Sequence, residues 1–327
     1  MNLRQLQFLC QLERSGFNVT TTAQTLHATQ PGISKQLSAL ERELGVDILV
    51  RRGNRIVGLT APGRAITEVA GRMLNDARSI RAIGEEFGQL DRGRLTVATT
   101  HTHARYVLPD VVQKYSKMYP QVHLVMRQEN ATRVAEMVAS GEADIGISAQ
   151  PETPPANVLM FPCYGLARSL YMPVDHPLTR QSKRVTLEQI CKYPLITLDS
   201  SFAAGLKIMH TFAAHDLKPN IVMSATDTEV VKWYVGIKLG IAILPTIAYE
   251  PQRDRMIRVR DAGYLFEANV ACLMLRRNHY LLRYMTEFTQ LLAPHWGMAA
   301  LERALQTGKV PEHDFPTFPV RKSSATA

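Results

Sequence analysis

Residues 3–59 restrict this chain more than any other stretch, because apolar residues recur there at helical spacing in three short runs, two of them closed by glycine. Leu3, Leu6, Leu9 and Leu12 mark a first helix that Gly16 ends. A second helix starts near Thr20 with Ala23 and Leu26 facing inward, and His27, Ala28 and Thr29 form a tight connection. Gln30-Pro31 opens a third helix, since proline is tolerated in a first turn. Ile33, Leu37, Leu40 and Leu44 are its expected buried stripe, and Gly45 its stop. Short helices joined by so tight a turn make a helix-turn-helix.

The face opposite that stripe carries Gln30, Ser34, Lys35 and Ser38, side chains able to meet base edges and phosphates. Next, two β-rich runs, Val46 to Val50 and Ile56 to Leu59, flank Arg51-Arg52-Gly53-Asn54-Arg55. This predicts a wing whose arginines reach phosphate backbone or minor groove. An ordinary three-helix scaffold with a solvated basic hairpin is the competing reading. Charge favours the first: 38 Lys+Arg against 29 Asp+Glu leave +9, a surplus suited to a polyanionic partner.

Thr60-Ala61-Pro62 caps a long helix that should run to about Phe87. Ile66, Ala70, Met73, Ala77, Ile80, Gly84 and Phe87 follow a 3-4 alternation, opposite Arg64, Glu68, Arg72, Asn75 and Arg81. The expectation is a helix–helix dimer interface pairing two DNA-binding heads. The alternative is a helix lying on its own downstream domain.

From Gly93 strands and helices alternate, which implies parallel sheets with right-handed crossovers. The strands are too many for one small sheet, so two α/β lobes are expected. Their junctions should lie near Pro162-Cys163-Tyr164 and Phe266-Glu267-Ala268. Ligands of open α/β sheets sit beyond the carboxyl ends of strands. That edge holds Thr100, His101, Thr102 and His103 in the first lobe, with Ser148 ending another strand. In the second it holds Ser200, Ser201 and Phe202, then Thr226 and Asp227. Hydroxyls with free backbone N–H groups suit a small anionic or zwitterionic ligand, although each Ser or Thr alone is commonly just a cap. After about Gly308 the chain turns polar and proline-bearing, and disorder is expected there.

Enzyme readings fare poorly. No GxSxG, HExxH, P-loop or GxGxxG stands in the right context. His101 and His103 lack a nearby third ligand, and the four cysteines (Cys10, Cys163, Cys191, Cys272) lie far apart, so neither metal nor cofactor is expected. No apolar run is long enough for a membrane span and no signal peptide is evident, which points to a cytoplasmic chain with reduced thiols.

The stretch NVTTTAQTLHATQPGISKQLSALERELGVDILVRRGNRIVGLTAPG resembles the winged helix-turn-helix of LysR-type transcriptional regulators. ATTHTHARYVLP, MFPCYGLARS, DHPL and SATDTEVVKWYV look like the CysB branch, which governs sulfur assimilation. The resemblance spans residues 1–295. It implies a winged helix-turn-helix (1–60), a dimerising linker helix (61–90) and a two-lobe α/β effector domain like periplasmic binding proteins (91–295). Lobe I would be 91–162 with 268–295, lobe II 163–267, and 296–327 a partly disordered extension. It further implies promoter DNA, a small effector and RNA polymerase as partners, and a homodimer or homotetramer.

Carried over by residue, Gln30, Pro31, Ser34 and Lys35 match the recognition-helix start, and Arg52 and Arg55 the wing; Thr29 and Arg51 complete the expected DNA-binding set. Thr100 and Thr102 match the branch's anion-contacting threonines. His103 stands where glutamine is usual, Ala149 and Ala203 where threonines are, and Leu166 where tryptophan is. The expected ligand set is therefore Thr100, Thr102, His103, Ser148, Ser201, Phe202 and Thr226, with His103 offering charge at mildly acidic pH. Sulfate, an acetylated serine and a sulfonate all remain candidate effectors. A function of another class also remains: a solute-binding or catalytic α/β module with an N-terminal protein-docking domain.

Overall fold

The computed structural model describes residues 1–53, 55–87, 92–199, 203–277 and 279–317. The chain divides into two units, 1–90 and 91–327. Among the described residues no helix is long and apolar enough to cross a membrane.

The first unit runs α1 (Leu3–Arg14), α2 (Val19–Thr25), α3 (Gln30–Leu44), β1 (Leu49–Arg52), β2 (Arg55–Leu59) and α4 (Ala61–Phe87). Its helices start where short polar side chains can satisfy orphan N–H groups. Asn2 forms a capping box with Gln5, Asn18 accepts from the Thr21 amide and Thr29 from the Gly32 amide. Gly45 ends α3 in the left-handed region at φ 68°. Leu6, Leu9, Leu12, Ile33, Leu37 and Leu40 fill the core with Ile48, Leu49 and Leu59. Leu44 does not join them: it is 37% exposed, because the stripe has rotated off the core by the last turn of α3.

The start of α4 is fixed to β1. Thr60 donates from its hydroxyl to the Asp47 carbonyl at 2.6 Å and accepts from the Gly63 amide at 2.9 Å. A Cβ on Gly63 would stand 2.0 Å from the Ile48 carbonyl oxygen, so the helix approaches the strand only through glycine. The first half of α4 packs on α1, burying Thr67 and Ala70. The seam therefore serves its own head as well. Farther along, Met73 and Ile80 stay exposed, at 39% and 70%. The Phe87 side chain lies outside what is described.

The second unit holds two five-stranded sheets. Lobe I contains β3 (Gly93–Thr99), α5 (His101–Tyr106), α6 (Leu108–Met118), β4 (Val122–Gln128), α7 (Ala131–Ser140), β5 (Ile145–Ala149) and β6 (Val158–Leu166). Lobe II contains β7 (Arg168–Pro173), α8 (Leu187–Ile190), β8 (Leu195–Leu198), α9 (Ala203–Ala213), β9 (Ile221–Ala225), α10 (Thr228–Gly236), β10 (Ile241–Pro245) and β11 (Ile257–Asp261). The chain returns to lobe I with β12 (Asn269–Arg276), α11 (Arg283–Leu292) and α12 (Met298–Thr307). The sheet orders are β4-β3-β5-β12-β6 and β11-β7-β10-β8-β9.

The sheets are mixed where parallel ones were expected. β12 runs antiparallel to both β5 and β6, and β7 antiparallel to β10 and β11, since each enters its sheet straight from the other lobe. The first crossover is Ala167, a few residues past the expected Pro162-Cys163-Tyr164, because β6 continues to Leu166. The second falls between Asp261 and Asn269, around Phe266-Glu267-Ala268.

The C-terminal extension is placed as far as Thr317. Trp296 is fully buried, donates to the Pro162 carbonyl at 2.8 Å and packs edge-on against Phe161. The His313 ring lies 4.8 Å from Trp296, and the Gly165 amide donates to the Pro316 carbonyl at 2.9 Å. Pro316 and Thr317 thus meet the free edge of β6 at Gly165, so the expected disorder from Gly308 does not hold as far as Thr317. The rest of the tail, from 318, lies outside the described residues.

Candidate nucleic-acid interface and effector cleft

In the first unit, α3 presents Gln30, Pro31, Ser34 and Lys35 to solvent on one face, while Ile33, Leu37 and Leu40 face the core. Thr29 is exposed but already used as a cap, accepting from Gly32 at 3.2 Å. At the wing, Arg52 pairs with Arg55 across the β1–β2 ladder, both exposed and without an acidic partner among the described residues. Asn54 lies outside those residues.

Arg51 has another task. It grips Glu41 through two bonds, at 3.1 and 2.6 Å, and the same carboxylate accepts from the Ile48 and Leu49 amides at 3.0 Å each. Burial opposes the charged form of Glu41, but the Arg51 bonds and the two amides outweigh it and hold the carboxyl below its ordinary value. Two cations are left free at the wing tip and a third anchors its base. Glu41 escapes a reading of spacing alone, although an acid on the apolar side of α3 is a usable signal.

In the second unit, a cleft of about 520 Å3, counting its open mouth, lies between the lobes. Thr100, His101, Thr102, His103, Thr226 and Asn269 supply its polar wall, with His101 Nδ1 3.5 Å from Asp227, and Ala149 and Leu166 part of its apolar wall. Thr100 follows β3 as the residue before α5 and makes no capping bond with its side chain. Thr102 bonds Thr228 across the cleft at 3.1 Å.

His103 is 2% exposed, with Nδ1 3.0 Å from the Tyr164 hydroxyl. Burial pushes its pKa down to about 4. A charged His103 at mildly acidic pH is therefore overturned; it is a neutral hydrogen-bonding group. Ser148 is fully buried and donates to the Ala149 carbonyl at 2.9 Å, so it faces the core and not the cleft. Ser201 and Phe202, like Ser200, lie outside the described residues, as does the Ala203 side chain.

Two features were not anticipated. Asn269, the first residue of β12, keeps its Oδ1 buried without a donor among the described residues. A polar clasp also joins the lobes beside the cleft. Lys232 of α10 is 3% exposed and holds Glu229 at 2.9 Å, Asp254 at 2.8 Å and the Ala248 carbonyl at 2.8 Å. From lobe I, the Tyr106 hydroxyl donates to Glu229, and Arg105 lies 3.4 Å from both Glu229 and Glu250.

Residues 3–64 match the family described as bacterial regulatory helix-turn-helix protein, lysR family, and residues 88–297 match the LysR substrate binding domain. Over 306 residues the chain is 39% identical to the HTH-type transcriptional regulator SsuR of Burkholderia cenocepacia, covering 94% of this chain and 99% of that one. It is 40% identical to the regulator CysB of the same species, covering 94% and 97%. The crystal structure of the cofactor-binding domain of the Cbl transcriptional regulator superposes with a TM-score of 0.62 at 35% identity, covering 65% of this chain and 93% of that one.

The chain belongs to the LysR family of transcriptional regulators, in its CysB-like branch. It is a DNA-binding regulator with a domain for a small-molecule effector, in a family whose members oligomerise.

Proposed function

We propose that the chain controls genes of sulfur assimilation or organosulfur use in response to a small sulfur-linked metabolite held between the lobes. The observation that carries the choice of ligand is the polar set of the cleft. Thr100, Thr102 and Thr226 offer hydroxyls, His101 is shared with Asp227, His103 is neutral, and no lysine or arginine among the described residues lines the space. A fully charged anion would keep its charge uncompensated there. The buried Asn269 oxygen asks the ligand for a donor. An acetylated serine brings an N–H donor and a single carboxylate charge; sulfate brings two charges and no donor. Promoter DNA is read by Gln30 and Ser34, with Lys35, Arg52 and Arg55 on phosphate or groove. Met73 and Ile80 pair two heads, and a homotetramer contacts RNA polymerase in the cytoplasm.

A thermal-shift series against sulfate, thiosulfate, acetylated serines, cysteine and sulfonates tests the ligand. A binder at a hundredfold excess over its Kd stabilises by about 2.7 kcal/mol. The largest shift is expected with acetylated serine, and a shift with sulfate alone would remove that assignment. Thr100→Glu should abolish the shift while promoter affinity without effector stays within about twofold; a preserved shift moves the ligand elsewhere.

The DNA interface makes its own prediction. Arg52→Ala should weaken binding to all sequences and flatten the log K against log salt slope by about 0.9, one phosphate contact. Ser34→Ala should lose affinity mainly on the cognate promoter, by ~1 kcal/mol. Fluorescence anisotropy on cognate and scrambled duplexes across a salt series reads both. Equal loss on both duplexes for Ser34→Ala would remove it from base reading.

A further inference from the structure

Past the lobes the chain is firmly held as far as Gly308 and only lightly beyond it. α12 buries Leu301, Ala304 and Leu305, and Gly308 ends it in the left-handed region at φ 73°. Ahead of α12, Trp296 Nε1 and His295 Nε2 both donate to the Pro162 carbonyl, at 2.8 and 3.1 Å. Residues 311–317, in contrast, are all exposed. Pro311 and Pro316 have no backbone donor and favour an extended course.

This segment meets the rest of the unit first at His313, whose ring lies 4.8 Å from Trp296 and 5.4 Å from His295. It meets it again at Pro316, whose carbonyl accepts from the Gly165 amide at 2.9 Å, with Thr317 bridging to Gly165 in parallel. Gly165 stands two residues before the Ala167 crossover. A Cβ built on it would lie 3.5 Å from Thr317 Oγ1 and 3.5 Å from the Ala268 Cβ of the return crossover. The next residue, Leu166, lines the effector cleft, and so does its ladder partner Asn269. The end of the segment therefore rests where β6, both crossovers and one wall of the cleft come together. A ring contact and a backbone hydrogen bond on an exposed segment are weak enough to open and close.

We propose that residues 309–317 are a strap on the hinge. Seated on Gly165, the strap restrains both crossovers; released, it lets the lobes move. Because Leu166 and Asn269 belong to both the seat and the cleft, seating of the strap and filling of the cleft favour each other. By linkage, a ligand that prefers the restrained arrangement tightens the strap by the factor by which the strap tightens the ligand. The restraint stands on the contacts at Gly165; the coupling rests also on the ligand proposed above.

Hydrogen exchange of the full chain, resolved to single amides, tests this with Gly165→Ala and Gly165→Pro. Alanine keeps the N–H and its Cβ meets ordinary contacts, so the strap stays seated. Proline removes the donor and puts its ring against the Pro316 carbonyl, on an edge strand that already accommodates Pro162. The amides of Thr246 and Ala262 read the first crossover, since they donate to the Ala167 and Arg168 carbonyls at 2.8 and 3.0 Å. In Gly165→Pro both should exchange ~3–10-fold faster, the loss of one net hydrogen bond, and in Gly165→Ala within about twofold of wild type. The Val134 amide of α7, bonded to the Asn130 carbonyl, should keep its rate and so report an intact lobe I. His313→Ala, at an exposed position, loosens the strap from its other contact. It should speed Thr246 and Ala262 by ~2–10-fold and carries the test if Gly165→Pro does not fold. In wild type, saturating acetylated serine should slow the Gly165 amide by ~3-fold or more. Wild-type exchange at Thr246 and Ala262 in both Gly165→Pro and His313→Ala overturns the strap. An unchanged Gly165 amide with acetylated serine bound, as calorimetry reads it, overturns the coupling. Absence of acetylated serine binding would instead remove the ligand assignment, with the exchange at Thr246 and Ala262 still deciding the strap.

Discussion

Lys232→Met is expected to destabilise the effector-binding unit by about 3–5 kcal/mol and lower its melting temperature by roughly 10 °C. The ammonium is buried at 3% exposure and serves Asp254, Glu229 and the Ala248 carbonyl together. Methionine keeps the aliphatic stem but leaves Asp254, itself 9% exposed, as an unpaired buried carboxylate. The loss extends beyond lobe II, because Glu229 is also where Tyr106 and Arg105 of lobe I attach. With the clasp weakened, the lobes should separate more readily, and effector affinity should fall along with stability. Calorimetry of the full chain, with and without ligand, measures both. A loss below about 1 kcal/mol would show that the clasp is solvated and does not hold the lobes.

Glu41→Ala should have a comparable effect in the other unit and should abolish promoter binding. One carboxylate satisfies the amides of Ile48 and Leu49 and both arms of Arg51. Removing it leaves two buried N–H groups and a cation without an acceptor, a cost of about 3–5 kcal/mol against a small domain's 5–15. The wing then loses its base while the effector-binding unit melts as before, which circular dichroism resolves as one shifted transition of two. The pH dependence follows from the direction of the shift. The folded carboxyl is held below its ordinary 4.5, so its contribution is complete above that value and is lost as pH falls through the lower folded pKa. Glu41→Gln should therefore flatten the acid limb of the first unit's stability profile. An unchanged limb would assign acid sensitivity to other groups.

The winged helix-turn-helix was legible because its determinants are contiguous. Helical spacing, the caps at Asn18 and Thr29 and the left-handed Gly45 all act within a few residues of the helix they shape. Glu41 was not legible, since its partners are chosen by the reversal of the chain between α3 and β1. In the lobes, strand positions showed as apolar runs but strand directions did not. A fully buried strand such as β5 has the same composition in either direction. The lobe junction expected at Pro162-Cys163-Tyr164 falls inside β6, which tolerates Pro162 as the edge strand of its sheet.

The effector cleft shows the same division. Thr100 and Thr102 were found from their place after a strand, whereas Ser148 was misplaced by one step of the pleat: alternate residues of β5 face opposite sides, and its hydroxyl points inward. Short-range signals therefore settled most element types and the family of this regulator, because each depends on neighbours in the chain. The neutral state of His103, the unmet Asn269 oxygen and the Lys232 clasp were decided by folding. Each is a matter of burial and of what lies far off in the chain: Tyr164 is 61 residues from His103, and Tyr106 is 126 from Lys232.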